Sequence, residues 1–473
     1  MKKIFFSLSA LLFMLSSFCA ELSIQNTMLY FERDGVFAQV SLKWKHAWNH
    51  DKSRDGVWIF FKSLHVTNGA APITVRQNGH ELLSVDEKGA SLSIQSSPDS
   101  AGVFVALNKA YRGNIHAVIK VKLAGNSFNG LRMRESKFQS YGIEMVQVPK
   151  GAYFIGDTSQ RAIQHNAFYK QGSSPDKRDF YSIDREQAVI EVGTSPGSLY
   201  YTRGRESYGG DQGGPIPASF PKGVNGFLMM KYEPTQQLYV DFLNSLTKDQ
   251  RQYQDSFLAI SRYASLRGTI RKTDHGYSCA VPEAPLNFIT WSNALALADW
   301  CGLRPMTDLE YNKASRGPRK PASFDFPWGV ASKFLVRRVL GDDGKHFYTG
   351  TIDEGQLTDQ NLVQFGASYY WIMDLSGSVW ERVVTLGHAD GRNFKGSHGD
   401  GRLNEKGYAT NEDWPAREGK GEGFGFLGGG FYNQGRDYHE YNPFSPISYR
   451  PYGSWAGHES NEAYGCRFIR TWD

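Results

Sequence analysis

The chain has 473 residues, enough for two or three cores that hold without disulfide staples. With 40% apolar residues, 21% charged residues, 14% aromatics and 50 glycines, it is a loop-rich globular protein and not a disordered one. Lys plus Arg outnumber Asp plus Glu by 53 to 48, and so small a surplus over this length excludes a strongly basic nucleic-acid or membrane-surface binder.

At the N-terminus, Lys2 and Lys3 precede an apolar run from Ile4 to Leu15 and then Ser16, Ser17 and Ala20. Such a run is too short to span a bilayer and reads as a secretory signal over residues 1–20. The protein is therefore expected to be secreted, periplasmic or at the cell surface, and a lipid on Cys19 is the alternative route to a membrane. Phe18 suits neither a cleavage site nor a lipobox well. Past Cys19 three cysteines remain, an odd number in an oxidising compartment. Cys279 and Cys301 either form one bridge or, like Cys466, pack as small apolar side chains.

Residues 21–140 show short strand-like runs bounded by Gly, Asn and Asp, among them Val36 to Trp44, Gly56 to Lys62 and Ile115 to Leu123. They predict a β-sandwich. The run Val57 to Phe61 is apolar without alternation, so both of its faces are expected to be covered, and Trp44, Trp48 and Trp58 are expected in the core.

From Tyr141 the texture changes. Residues 142–156 predict two short strands around Pro149-Lys150-Gly151. Thr235 is placed to cap a helix whose Leu238, Tyr239, Phe242, Leu243 and Leu246 share a face, and a second helix is predicted from Thr290 to Cys301, ahead of Gly302. The capping box Thr307-Asp308-Leu309-Glu310 opens a third, which Gly317 ends. After Arg316 the chain is rich in Gly, Asn, Asp and aromatics, so irregular backbone is expected, held by dense hydrogen bonding or by metal.

The motifs now stand in a recognisable order. They are Met145 to Gly151; Tyr232-Glu233-Pro234-Thr235 with Tyr239 and Phe242; Trp291; Gly302 to Tyr311; Pro327-Trp328-Gly329; Met373 to Glu381; Gly428-Gly429-Gly430; and Gly465 to Thr471. In this order residues 141–473 resemble the formylglycine-generating enzyme and sulfatase-modifying factor family. The resemblance implies a C-type-lectin-like α+β domain with much irregular structure, preceded here by the unrelated β-sandwich.

The resemblance also implies a structural calcium ion, held by the side chains of Asp374 and Glu381 and the carbonyls of Gly377 and Val379. The chemistry suits calcium, which takes six to eight hard oxygen ligands. The competing reading is a metal-free turn in which the two carboxylates accept backbone hydrogen bonds. The family's oxidase chemistry needs two nearby thiolates that bind copper, yet Phe431 to Tyr464 contains no cysteine. One thiol cannot make a two-thiolate soft-metal site, so no copper is expected and formylglycine-generating activity is expected to be lost. His388, His398, His439 and His458 lie on Gly-rich segments, where solvated loop histidines are commoner than metal ligands.

The segment 430–465 resembles a paratope in composition. Tyr432, Tyr438, His439, Tyr441, Asn442, Tyr449, Tyr452 and Trp455 are the candidate binding surface, against ordinary core and loop packing as the alternative. Together these features predict an exported binding or assembly component with a protein or glycan ligand. A metal-dependent oxidase with a non-standard metal site is the alternative.

Overall fold

A computed structural model describes residues 17–18, 22–65, 68–128, 136–431 and 442–472. The protein is α+β, mostly strand with few helices. The apolar run of strand Arg54–His65 is buried on both faces, as its lack of alternation predicts, and each face meets a different core. Val57, Ile59 and Phe61 pack with Val40, Leu42, Val105 and Ile119 among the N-terminal strands. Trp58 and Phe60 point the other way, into a core built with Phe242, Leu297 and Trp300 of the C-terminal helices. The Trp58 indole N–H donates to the Cys301 carbonyl at 2.9 Å, so burial of the ring leaves no polar atom unsatisfied. Trp44 and Trp48 are buried as well, Trp48 in a third cluster with Met306, Trp328 and Ile372.

Strand Ser136–Val148 crosses the boundary expected at residue 141. Ser136 to Gln147 pair antiparallel with Arg54–His65, and Met145 to Val148 also pair with strand Phe227–Met230. The latter pairs with Phe468–Thr471, which pairs with Arg304–Pro305. Among the described residues thirteen strands thus share one branched sheet running from the N-terminal region into the C-terminal one. At the seam Lys231 lies 3.3 Å from both Asp55 and Glu144, all three buried. Asp55 also accepts from the Trp48 N–H at 2.8 Å.

The three predicted helices form, at Gln236–Ser245, Trp291–Trp300 and Asp308–Arg316. Thr235, Thr290 and Thr307 cap them through their hydroxyls, the last two in capping boxes with Asn293 and Glu310. Helix Lys248–Gln254, opened by a Thr247/Gln250 box, is an addition to the predicted set. Beyond Gly317 the described helices are single turns, and no described helix is long and apolar enough to cross a membrane.

Candidate functional site

Three segments meet at the site. Strand Phe227–Met230 hands on to Lys231, Tyr232 and Glu233, and the Met373 N–H donates to the Lys231 carbonyl at 3.0 Å, laying Asp374 beside Glu233. Arg467 fastens the same segments, with Nη1 donating to the Met230 carbonyl and Nη2 to the Met373 carbonyl, each at 2.8 Å. The third segment is a hairpin of Arg338–Leu340 and His346–Tyr348. Arg338 pairs with Tyr348 and Leu340 with His346, so these four residues share one face of the hairpin.

Asp374 answers to two groups on that hairpin. Arg338 Nη1 donates to its Oδ2, while Oδ1 lies 3.5 Å from Nε2 of His346. Arg338 Nε is also 3.3 Å from Glu354. Glu233 is held from the other side, accepting from the Ser378 hydroxyl at 2.6 Å and the Val379 N–H at 3.1 Å. One donor atom each from Glu233, His346 and Asp374 lies within 4.8 Å of the other two. Beside them is a cavity of about 250 Å³ lined by His46, Tyr232, Lys345 and Phe347.

Burial pushes the Glu233 carboxyl well up, and the neighbouring Asp374 pushes it further. Burial works on Asp374 in the same sense, but Arg338 and His346 outweigh it and the net shift is downward. Burial, reinforced by Arg338, lowers His346 to about 4, so its imidazole is neutral near pH 7 and available as a ligand.

The box expected to bind calcium is intact in backbone but divided in charge. Gly377 has φ +106°, and a Cβ there would lie 2.5 Å from the Phe444 ring, so the turn requires glycine. Glu381 gives Oε1 to Arg467 at 2.6–2.7 Å, while its Oε2 is buried without a hydrogen-bond partner. That orphan oxygen is the atom a cation would take. Asp374, however, turns both oxygens to the hairpin, and Glu381 is absent from the donor set that Asp374 forms with Glu233 and His346. Calcium therefore fits Glu381 but not the pose of Asp374.

The expected binding surface needs correction at two positions. Asn442 and Tyr449 are buried, with Tyr449 in the large core and its ring 5.0 Å from that of His165, so packing and not display accounts for them. Tyr452 and Trp455 are half-buried in an aromatic group with Tyr208, Phe426 and Tyr464. Tyr432, Tyr438, His439 and Tyr441 lie outside the described residues. Cys279 and Cys301 are not bridged, and Cys466 is free too. The Cys279 thiol donates to Gln237 at 3.4 Å and burial pushes it up to about 11, while Cys301 and Cys466 are fully buried. The histidines part company. His388 caps its own helical turn, His398 accepts the Thr471 N–H at 3.0 Å, and His458 faces the Gly421 N–H at 3.4 Å.

Sequence reasoning missed His346, Arg338 and Glu354 as site residues and noted Glu233 only within a motif. No local signal marks them, since Glu233, His346 and Asp374 stand far apart in the chain without characteristic spacing.

The sulfatase-modifying factor enzyme 1-like domain matches residues 178–471, inside the stretch the motifs marked from 141. The chain is 23% identical over 218 residues to the formylglycine-generating enzyme of Thermomonospora curvata, covering 38% of this chain and 69% of that protein. It is 28% identical over 130 residues to the hercynine oxygenase of Mycolicibacterium smegmatis, covering 27% of this chain and 28% of that protein.

Proposed function

The chain belongs to the sulfatase-modifying factor enzyme 1-like family, and from that premise we propose that it works without thiol chemistry, as an exported binding or assembly component. The observation that carries this reading is the lack of any cysteine from Phe431 to Tyr464, together with the burial that keeps Cys301 and Cys466 protonated. Its working surfaces are the cavity between the hairpin and the Asp374 loop and, separately, the half-buried aromatics around Trp455, and its ligand is a protein or glycan. In this reading the N-terminal strands form a sandwich framing the cavity, to which His46 contributes. The structural calcium expected at Asp374, Gly377, Val379 and Glu381 would require Asp374 to turn away from Arg338 and His346. The test is incubation with a sulfatase-type Cys peptide, with and without copper. No aldehyde is expected, and detectable aldehyde overturns the reading. Native pull-down with mass spectrometry identifies the partner.

A second reading, a metal-dependent oxidase, is favoured by the grouping of Glu233, His346 and Asp374 at an open cavity, and by the enzyme names of the two relatives. Oxygen consumption by metal-loaded protein, lost in His346→Ala, would select it.

A further inference from the structure

We propose that Glu233, His346 and Asp374 form a binding site for a borderline first-row divalent ion of the zinc, cobalt or iron type, one that draws Asp374 away from the calcium box. The inference deepens the cavity reading above and does not depend on whether the protein is an enzyme.

Four features carry it. The three donor atoms already lie within 4.8 Å of one another. Donors about 2.1 Å from a tetrahedral ion lie about 3.4 Å apart, so side-chain shifts of roughly an ångström would close the site. The donor set is an imidazole with two carboxylates, which suits zinc or iron, whereas calcium seeks oxygen alone.

Each carboxylate is also held by groups that are not ligands. Ser378 and the Val379 N–H hold Glu233, and Arg338 holds the far oxygen of Asp374 while itself braced by Glu354. Such outer partners fix the direction and basicity of metal-bound carboxylates. Finally, three protein ligands leave coordination positions open, and the cavity of about 250 Å³ lies beside them. A water or an oxygen donor from a bound ligand would complete the sphere there. The Asp374 pose that fails to suit calcium already turns its Oδ1 toward His346.

The test uses Co²⁺ as a spectroscopic probe on chelator-stripped full-length protein. One Co²⁺ per chain is expected, with visible ligand-field absorption that Zn²⁺ displaces and Ca²⁺ at equal concentration does not. His346→Ala should weaken binding tenfold or more. Because Arg338 still pairs with Asp374 when the imidazole is removed, that variant should keep its fold by circular dichroism. Arg338→Met should weaken Co²⁺ binding without abolishing it. No Co²⁺ binding by the folded wild type overturns the proposal. Co²⁺ binding that His346→Ala and Glu233→Gln leave unchanged, or that Ca²⁺ displaces equally well, overturns it too. Aldehyde formation from the Cys peptide bears only on the thiol-free reading, so failure of one claim is distinguishable from failure of the other.

Discussion

Arg467 lies fully buried against Glu381, with Nε and Nη2 2.7 and 2.6 Å from the same carboxylate oxygen. Two further N–H groups go to carbonyls, those of Met230 and Met373. Removing one partner of a buried pair leaves the other charge uncompensated, at a cost of about 3–5 kcal/mol. Arg467→Ala is expected to lose about that much in chemical denaturation, and Glu381→Gln less, because the amide oxygen still accepts from the guanidinium. A loss below about 1 kcal/mol for Arg467→Ala would show that the pair does not hold these segments.

Lys62 is a buried cation whose ammonium donates to the Gly401 carbonyl at 3.0 Å and sits over the Trp300 ring. Burial lowers its pKa from 10.5 to about 8, against the pull of Asp299. Between those values the unfolded chain holds a proton that the folded chain has released, so this group makes stability rise with pH across that window. Below pH 8 its burial costs the fold most. Lys62→Met should therefore stabilise the protein by about 1–3 kcal/mol at pH 7, an advantage that shrinks towards pH 10. Parallel stability curves for wild type and variant from pH 7 to 10 would contradict this.

Tyr449 and Trp455 separate packing from display. Tyr449→Ala should behave as a core deletion and cost about 3–5 kcal/mol. Trp455→Ala should cost clearly less, because its ring is only half-buried. If Trp455 contacts the partner, its loss should weaken binding out of proportion to its effect on the melting temperature, as a binding hot spot does. Equal destabilisation by both would place Trp455 in the core.

The calcium proposed for the box is checked by chelation. Free calcium near a hundred times its dissociation constant adds about 2.7 kcal/mol, so chelation should lower the melting temperature and calcium restore it. That response should disappear in Glu381→Ala and persist in His346→Ala, the reverse of the Co²⁺ pattern. Identical melting with and without chelator, in metal-free protein, would reduce the box to a hydrogen-bonded turn.

What the sequence made legible was local. A threonine hydroxyl caps the N–H three residues on, and so Thr235, Thr290 and Thr307 announced their helices from within one turn of chain. The continuous apolar run at Val57 to Phe61 correctly demanded cover on both faces, but nothing in it said that the second cover would be Trp300 and its neighbours. The cluster of Glu233, His346 and Asp374 was hidden for the same reason, since its members meet only after sheet pairing and the Met373–Lys231 hydrogen bond bring them together. Tyr449 misled because aromatic, polar composition is common to display loops and to irregular cores, and only packing tells them apart.

Strand Ser136–Val148 bonds along one edge to Arg54–His65 and along part of the other to Phe227–Met230. A chain started at residue 141 would keep most of that strand while losing its neighbour, leaving a row of unpaired amides and carbonyls along one edge. Such an edge recruits other strands, so the truncated protein should aggregate where the full chain stays dispersed. Recombination that cuts a loop at this boundary would open the same edge, so the two parts are expected to unfold in a single transition.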